Sequence, residues 1–396
     1  EAALWMQSPS KPAHGLDGVG VPREWRRLSE MHEAIPNPTI LAKTVKRAKV
    51  DMVKGELCSD DVLGMLSMLT THESNIHKLF LAYDIDVGVY AVRVSVDSAW
   101  HYVVIDDYVP CGSLVDADDG YSPELLAARG PLYSRAYDPN ELYVALLEKA
   151  VAKVRGGYAN LNTLPLSLAE REEVQVGIAR QLTGGTVESY MLKSTTMQHV
   201  LSSGEMWETL LRHSLCGRLI SCWREDESIT DPEYRTDQNL LVNHAYTVTG
   251  VLVVGANRLL QIRNSFGDGS WEGAWYNLKS EVIRAGRQNE FLMAYNDFYG
   301  PEGFTRIDVV DVAPQAAKSS SLAKRALPFH CGWRDVDVTR PFAYIFDVTA
   351  QNTQVVIELV QTSAKGHGSQ TSTRIRDHML DDSTTQFSDD EGDSNN

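Results

Sequence analysis

His244 and Asn264 are the residues whose types and surroundings point most directly to chemistry. His244 lies in the run Asn-His-Ala-Tyr-Thr-Val-Thr-Gly, and Asn264 opens the run Asn-Ser-Phe-Gly-Asp-Gly-Ser-Trp. An imidazole oriented by a third polar group can activate a thiol for attack on a carbonyl carbon. The reaction also needs donors aimed at the developing oxyanion, and losing one donor costs roughly two to three orders of magnitude in rate. A suitably placed cysteine is therefore the residue to look for.

Four segments of the chain resemble motifs of calpain-type cysteine peptidases. The segments around His244 and Asn264 resemble the histidine and asparagine motifs. Residues 145–158 look like the helix ahead of the domain junction, and residues 103–110 look like a strand and turn that end in paired aspartates. Their order and approximate spacing match from about residue 25 to residue 312.

This resemblance implies an α+β fold of the papain-like, two-lobed kind, the calpain protease core. A helical lobe would carry the nucleophile, a β-rich lobe would carry His244 and Asn264, and the site would lie in the cleft between them. In the family, Trp271 would pack near Asn264 and shield its hydrogen bond to His244. A core tryptophan in a strand turn fits the sequence equally well.

The segment that should hold the cysteine departs from the family pattern. The family reads Gln-Gly-x-Leu-Gly-Asp-Cys-Trp-Phe-Leu, and residues 54–63 read Lys-Gly-Glu-Leu-Cys-Ser-Asp-Asp-Val-Leu. This register places Asp60 at the nucleophile and Lys54 at the glutamine that helps to form the oxyanion hole. Cys58 falls at a glycine position and Asp61 at the tryptophan. The register is anchored by three residues: Gly55, Leu57 and Leu63.

The family triad positions are thus Asp60, His244 and Asn264, with aspartate in place of cysteine. A carboxylate attacks amides poorly, and beside His244 it would favour an imidazolium and a salt bridge. We expect a catalytically inactive pseudoprotease with a binding or regulatory role. The alternative is an active, intracellular, calcium-dependent cysteine endopeptidase that recruits Cys58 through a shifted register. Cys58 precedes Asp60 by two residues, and misplacement by about 1 Å can already cost about 100-fold in rate.

Asp60 also has a structural interpretation. Residues 62–69 are apolar nearly all round, which predicts a helix buried inside a domain. Ser59, Asp60 and Asp61 precede this run, where side-chain oxygens accept hydrogen bonds from free amides and negative charge favours the helix dipole. The sequence therefore predicts that the helix survives as scaffold.

The remaining cysteines suggest no second nucleophile and no metal site. Cys222 lies in an apolar, strand-like run, where a free cysteine commonly behaves as a small core residue. Cys111, Cys216 and Cys331 show no zinc-like spacing. Five cysteines without a pairing pattern favour a reducing compartment over a disulfide framework.

Composition shifts divide the chain into six predicted parts. Residues 1–22 form a flexible lead-in, residues 23–183 the helical lobe and residues 184–312 the β-rich lobe, with a Gly184–Gly185 break between the lobes. Residues 313–326 form a linker. Residues 327–370 resemble the opening strands of the β-sandwich that follows the calpain core, at residues 340–348 and 354–361. Residues 371–396 form an acidic tail, which we expect to be disordered.

Calcium is expected in active relatives, but the ligand positions implied by the resemblance are largely lost here. Calcium takes six to eight oxygen ligands, usually with several carboxylates among them. Asp51 alone persists at the first site and Glu290 at the second, so we expect no tight calcium site and no cofactor. The altered positions are Lys46, Ala159, Ser270, Asn277, Gly286 and Gln288.

Charge and hydropathy restrict the classes of partner that this chain could bind. The net charge of −16 over 396 residues disfavours nucleic acid, which binds basic surfaces. No apolar run approaches the ~18 residues of a transmembrane helix, and no secretory signal is visible. We expect a cytoplasmic, intracellular protein whose interlobe cleft either binds a polypeptide or is simply structural; the sequence names no partner.

Overall fold

A computed structural model gives the fold. It describes residues 24–28, 37–42, 52–55, 57, 60–96, 99–111, 131–161, 167–229, 231, 234–264, 271–275, 289–312, 358–362 and 370–374. Helices and mostly antiparallel strands alternate along these residues, in the α+β arrangement that the sequence predicts.

Four α-helices are described in the first lobe. They are α1 (Asp60–Leu69), α2 (Glu73–Leu79), α3 (Tyr143–Val154) and α4 (Leu168–Thr183). Helix α4 begins with a capping box between Ser167 and Glu170, and it ends at Gly184, whose φ of 62° favours glycine. The predicted glycine break therefore has a physical cause, the left-handed turn that ends α4.

Seven short strands accompany these helices among the described residues, so this part of the first lobe mixes helix and strand. They are β1 (Glu24–Arg27), β2 (Met52–Val53), β3 (Phe80–Asp84), β4 (Val89–Val96), β5 (Ala99–Asp106), β6 (Tyr108–Cys111) and β7 (Arg135–Ala136). Strands β3, β4 and β5 form one antiparallel sheet, in which β4 pairs with β5 over residues 89–106. Strand β1 pairs with β6, and β2 pairs with β7.

The paired aspartates of the 103–110 segment are structural. Asp107 is buried and accepts a hydrogen bond from Arg27 Nε at 3.0 Å, which ties β1 to the turn after β5. Asp106 forms an ion pair with Lys149 on α3. Both carboxylates thus fasten elements of the first lobe to one another.

The second lobe is built on a six-stranded antiparallel sheet. Its strands are β8 (Thr186–Met191), β9 (Leu219–Arg224), β10 (His244–Val254), β11 (Asn257–Asn264), β12 (Glu290–Ala294) and β13 (Arg306–Asp311). Their order in the sheet is β12-β11-β10-β9-β13-β8. The described helices beside it are α5 (Thr195–Ser203), α6 (Glu205–Leu215) and α7 (Tyr295–Phe298).

The two faces of this sheet pack against different partners. Side chains alternate along a strand, so Ile220 and Cys222 of β9 face the core of the second lobe with Trp207 of α6. Leu219 and Trp223 of β9 point the other way and belong to the core of the first lobe. One face of the sheet is therefore the surface on which the two lobes meet.

Strands β14 (Glu358–Thr362) and β15 (Gln370–Arg374) form a separate antiparallel hairpin. Strand β14 overlaps the second strand predicted for the β-sandwich. The lead-in, the linker and the first sandwich strand lie outside the described residues, as does the predicted acidic tail after Arg374. Residues 371–374, which the sequence assigned to the disordered tail, instead belong to β15. None of the described helices is long and apolar enough to cross a membrane.

Candidate active site

His244 and Asn264 are brought together by two paired strands. His244 begins β10, Asn264 ends β11, and the antiparallel register sets Tyr246 opposite Asn264. His244 Nε2 lies 3.0 Å from Asn264 Oδ1, with the histidine 5% exposed and the asparagine 1% exposed. An amide oxygen only accepts, so Nε2 carries the hydrogen and the lone pair of the neutral ring is at Nδ1.

The backbone on both sides of this pair is fixed by asparagines. Asn264 N donates to Asn289 O at 2.9 Å, and Asn289 Nδ2 donates to Asn264 O at 2.7 Å. Asn243, which precedes the histidine, has a φ of 56°, a conformation that asparagine tolerates better than most residues. Its Nδ2 donates to Ile229 O at 2.9 Å. The imidazole is thus held in one orientation.

The chain that leads into α1 is held against the segment before α3. Leu57 N donates to Leu132 O at 2.8 Å. A Cβ at Gly55 would lie 2.2 Å from Tyr133 O, so the backbones approach as closely as only glycine permits. Lys54 precedes this contact and is exposed.

Helix α1 lies directly on strand β10. A Cβ at Gly64 would lie 2.4 Å from the Cβ of Ala245, and Ser67 Oγ lies 3.1 Å from Thr247 Oγ1. Toward the start of the helix, from position 67 to position 64, the facing strand residue therefore changes from residue 247 to residue 245. Both elements begin at the same end of the lobe interface, α1 at Asp60 and β10 at His244.

This close approach predicts that Gly64→Ala destabilises the protein. The added methyl meets Ala245 in a packed interface, so we expect a loss of about 1–3 kcal/mol in the free energy of unfolding, measured with urea. Ala245→Gly in the same chain should recover much of that loss. Gly250→Ala in β10 is the matched control, because its Cβ would come no closer than 3.3 Å to any neighbour and should cost less. A Gly64→Ala variant as stable as the parent would contradict the contact.

Comparison with known proteins agrees with this geometry. The calpain family cysteine protease domain matches residues 19–310, which is well over half of the chain. The chain belongs to the calpain family of cysteine proteases. It is 28% identical to the calpain-1 catalytic subunit of Mus musculus and 27% identical to that of Macaca fascicularis, in both cases over 78% of this chain. It is 29% identical to the calpain-type cysteine protease DEK1 of Zea mays over 69% of this chain.

The chain spans only part of these relatives. The matched region covers 41% of each calpain-1 subunit and 12% of the maize protein. The calpain protease core is a papain-like fold, and the helices and sheets of this chain fit that α+β fold.

Several predicted site residues have a described environment. Trp271 is 4% exposed and lies in the core of the second lobe, with its ring against the backbone of Gly273. Asp61 is buried and accepts a hydrogen bond from Gln175 Nε2. The side chain of Asp60 lies outside the described part of the structure, although the helix begins at this residue as predicted.

Two of the three described cysteines are buried. Cys111 and Cys222 are buried, and burial raises the pKa of the Cys222 thiol well above its ordinary value. Cys216 is exposed and follows α6. Cys58 and Cys331 lie outside the described residues.

The described residues contain no group of three or more histidine, cysteine, aspartate or glutamate side chains that could hold a metal ion. Glu290, the carboxylate retained at the second calcium position, accepts a hydrogen bond from Gln261 Nε2 at 2.6 Å. Ala159 lies exposed in a short 3-10 turn at Tyr158–Leu161. The other calcium positions, at residues 46, 51, 270, 277, 286 and 288, lie outside the described residues.

Sequence reasoning missed three residues that support the site. Asn289 fixes the backbone of Asn264, Gly64 allows α1 to approach β10, and Gln175 reaches Asp61. An isolated glycine inside a buried helix often marks such an approach, so Gly64 did carry a signal. The two amide residues carried none, because their partners are distant in sequence.

Proposed function

We propose that this chain is a calpain-like protease core that does not hydrolyse peptide bonds and that uses its interlobe cleft to bind a polypeptide. The observation that carries the proposal is Asp60 at the first residue of α1, where the family register requires the thiol. The histidine and asparagine persist while the nucleophile, the oxyanion glutamine and most calcium ligands differ, so three separate parts of the machinery have changed.

The periodicity of α1 supports the proposal that the side chain at position 60 lies near the imidazole of His244. Positions 60, 64 and 67 share one face of an α-helix, and the last two lie on β10. Position 60 lies about 6 Å before position 64 along the helix axis, toward the end of the interface where His244 begins its strand. A carboxylate there would pair with a protonated imidazole instead of attacking a carbonyl carbon.

The proposal is tested by incubating the purified chain with an unfolded protein and, separately, with an epoxysuccinyl thiol probe, both with and without calcium. We expect neither cleavage nor labelling of Cys58, while calpain-1 cleaves and is labelled in parallel. Cleavage that disappears in both Cys58→Ser and His244→Ala, but persists in the Cys216→Ser control, would overturn the proposal. That result would establish the alternative, a calcium-dependent endopeptidase with a relocated nucleophile.

Binding is tested separately by the fluorescence anisotropy of a labelled unfolded polypeptide. We expect saturable binding that weakens when Lys54, an exposed residue six positions before the first residue of α1, is replaced by glutamate. Equal binding by the parent and the Lys54→Glu variant would exclude this end of the cleft as the binding site.

A further inference from the structure

The face of the six-stranded sheet that meets the first lobe is unusually polar for a buried interface. Cross-strand partners share a face, and the register links Asp308 to Ser221, Ser221 to Thr247 and Thr247 to Arg263. All four are buried. Arg263 Nη2 donates to Ser67 O on α1 at 2.6 Å. The lobes are therefore joined by directional bonds as well as by apolar packing.

Arg306 is the most deeply buried charge of this face. It begins β13, is 1% exposed, and lies with its guanidinium carbon 5.0 Å from the centre of the Trp223 ring. Its two terminal nitrogens form ion pairs with Glu225 at 3.3 Å and with Asp308 at 3.2 Å. These partners fix the guanidinium within the second lobe.

The same guanidinium also reaches the first lobe. Arg306 Nη2 donates to Oε1 of Gln175 on α4, and Gln175 Nε2 donates to Oδ1 of Asp61 on α1. Gln175 is 1% exposed, and so is Asp61. One glutamine thus connects a strand of the second lobe to the first turn of α1.

The chemistry of position 175 suits an amide and excludes the charged alternatives. The side chain accepts from a guanidinium at one end and donates to a carboxylate at the other, and an amide offers both functions. A glutamate could not donate to Asp61, and a lysine or arginine could not accept from Arg306. Removing the central member leaves two buried polar groups without this partner, which is costly in an interior of low dielectric constant.

We propose that Gln175 is a positioning residue that joins the two lobes, so that Arg306 of the second lobe fixes the place where α1 begins. The bridge lies one residue from position 60 and consists of protein groups alone. It does not depend on whether position 60 acts in catalysis or in binding.

The test compares Gln175→Leu with Gln181→Leu by amide hydrogen exchange. Gln181 is the matched control because it lies on the same helix, is 7% exposed and accepts from Arg155 Nε at 3.1 Å, yet both partners belong to the first lobe. We expect Gln175→Leu to speed exchange of the amides at residues 61–64 about tenfold or more relative to Gln181→Leu, as the loss of a buried hydrogen-bonding partner implies. Exchange in the middle of α3 should change equally in the two variants.

A second pair of variants keeps the test valid if the leucine variants fail to fold. Gln175→Asn and Gln181→Asn keep the amide but shorten it by one methylene, so position 175 can no longer reach both partners. The same ordering of exchange rates is expected from this milder pair. Equal exchange at residues 61–64 in the two members of either folded pair would overturn the proposal, whatever the outcome of the cleavage and binding measurements.

Discussion

The Asp60→Cys variant is expected to hold a reactive thiol whose reactivity depends on His244. A cysteine at the first residue of α1 would meet the positive end of the helix dipole and the imidazole, both of which lower a thiol pKa. At pH 6 this leaves far more thiolate than an ordinary cysteine has, although the nucleophilicity of each thiolate falls. We expect alkylation by iodoacetamide about tenfold faster than at the exposed Cys216.

The measurement is made with Cys58 and Cys331 replaced by serine, so that Cys216 serves as an internal reference. Adding His244→Ala should reduce labelling at position 60 to near the reference rate and leave labelling of Cys216 unchanged. Equal labelling of position 60 with and without the histidine would show that the two positions do not face each other. Peptide cleavage is not expected from this variant, because Lys54 still occupies the place of the oxyanion glutamine.

The second large effect is expected at Glu148, a fully buried carboxyl in the middle of α3. Burial raises its pKa from 4.5 to about 7, against the opposing effect of hydrogen bonds from Ser134 N at 2.7 Å and Ser134 Oγ at 3.0 Å. The folded protein therefore holds this proton more tightly than the unfolded chain does. The resulting stabilisation is complete below pH 4.5 and is lost as the pH rises through about 7.

Glu148→Gln keeps the shape of the neutral side chain and removes its titration. We expect the variant to gain roughly 3 kcal/mol over the parent in the free energy of unfolding as the pH rises from 4.5 to 8. Urea unfolding of both proteins at several pH values measures this difference. Glu170→Gln is the control, because hydrogen bonds from Ser167 lower the pKa of the exposed Glu170. The change in the free energy of unfolding with pH should therefore have the opposite sign at this position. A difference between parent and Glu148→Gln that does not change with pH would contradict the prediction.

The comparison must be made between variant and parent because other buried groups titrate in the same range. Burial raises the pKa of Glu225 to about 7, so the contribution of Glu225 to the free energy of unfolding also falls as the pH rises. Burial and the neighbouring Arg218 lower the pKa of His213 to about 4, which acts in the opposite direction. The pH dependence of the parent alone would mix these contributions.

Local patterns in the sequence predicted much of the secondary structure. The apolar run after Asp60 predicted α1, and the apolar run around Cys222 predicted β9. These signals are local because helix and strand periodicities repeat within a few residues. The resemblance to calpains named His244 and Asn264, and the structure places their side chains at hydrogen-bonding distance.

The contacts between distant segments were not predictable in the same way. Strands β2 and β7 are two residues long, lie about eighty residues apart and carry no periodicity that could reveal them. The bond from Gln175 to Asp61 spans 114 residues. Glutamate is a residue type that is mostly exposed in proteins, and only the surrounding packing explains the burial of Glu148. Such features depend on tertiary structure, which single-sequence patterns do not encode.

The contact between Gly64 and Ala245 limits how this part of the chain can change over evolution. The two positions share one small volume, so a larger side chain on the helix would require a smaller one on the strand. Alanine can shrink only to glycine, and glycine cannot shrink at all. Substitutions at the two positions should therefore occur together in diverging copies of this gene. Where they increase the distance between helix and strand, the helix that carries position 60 should also shift.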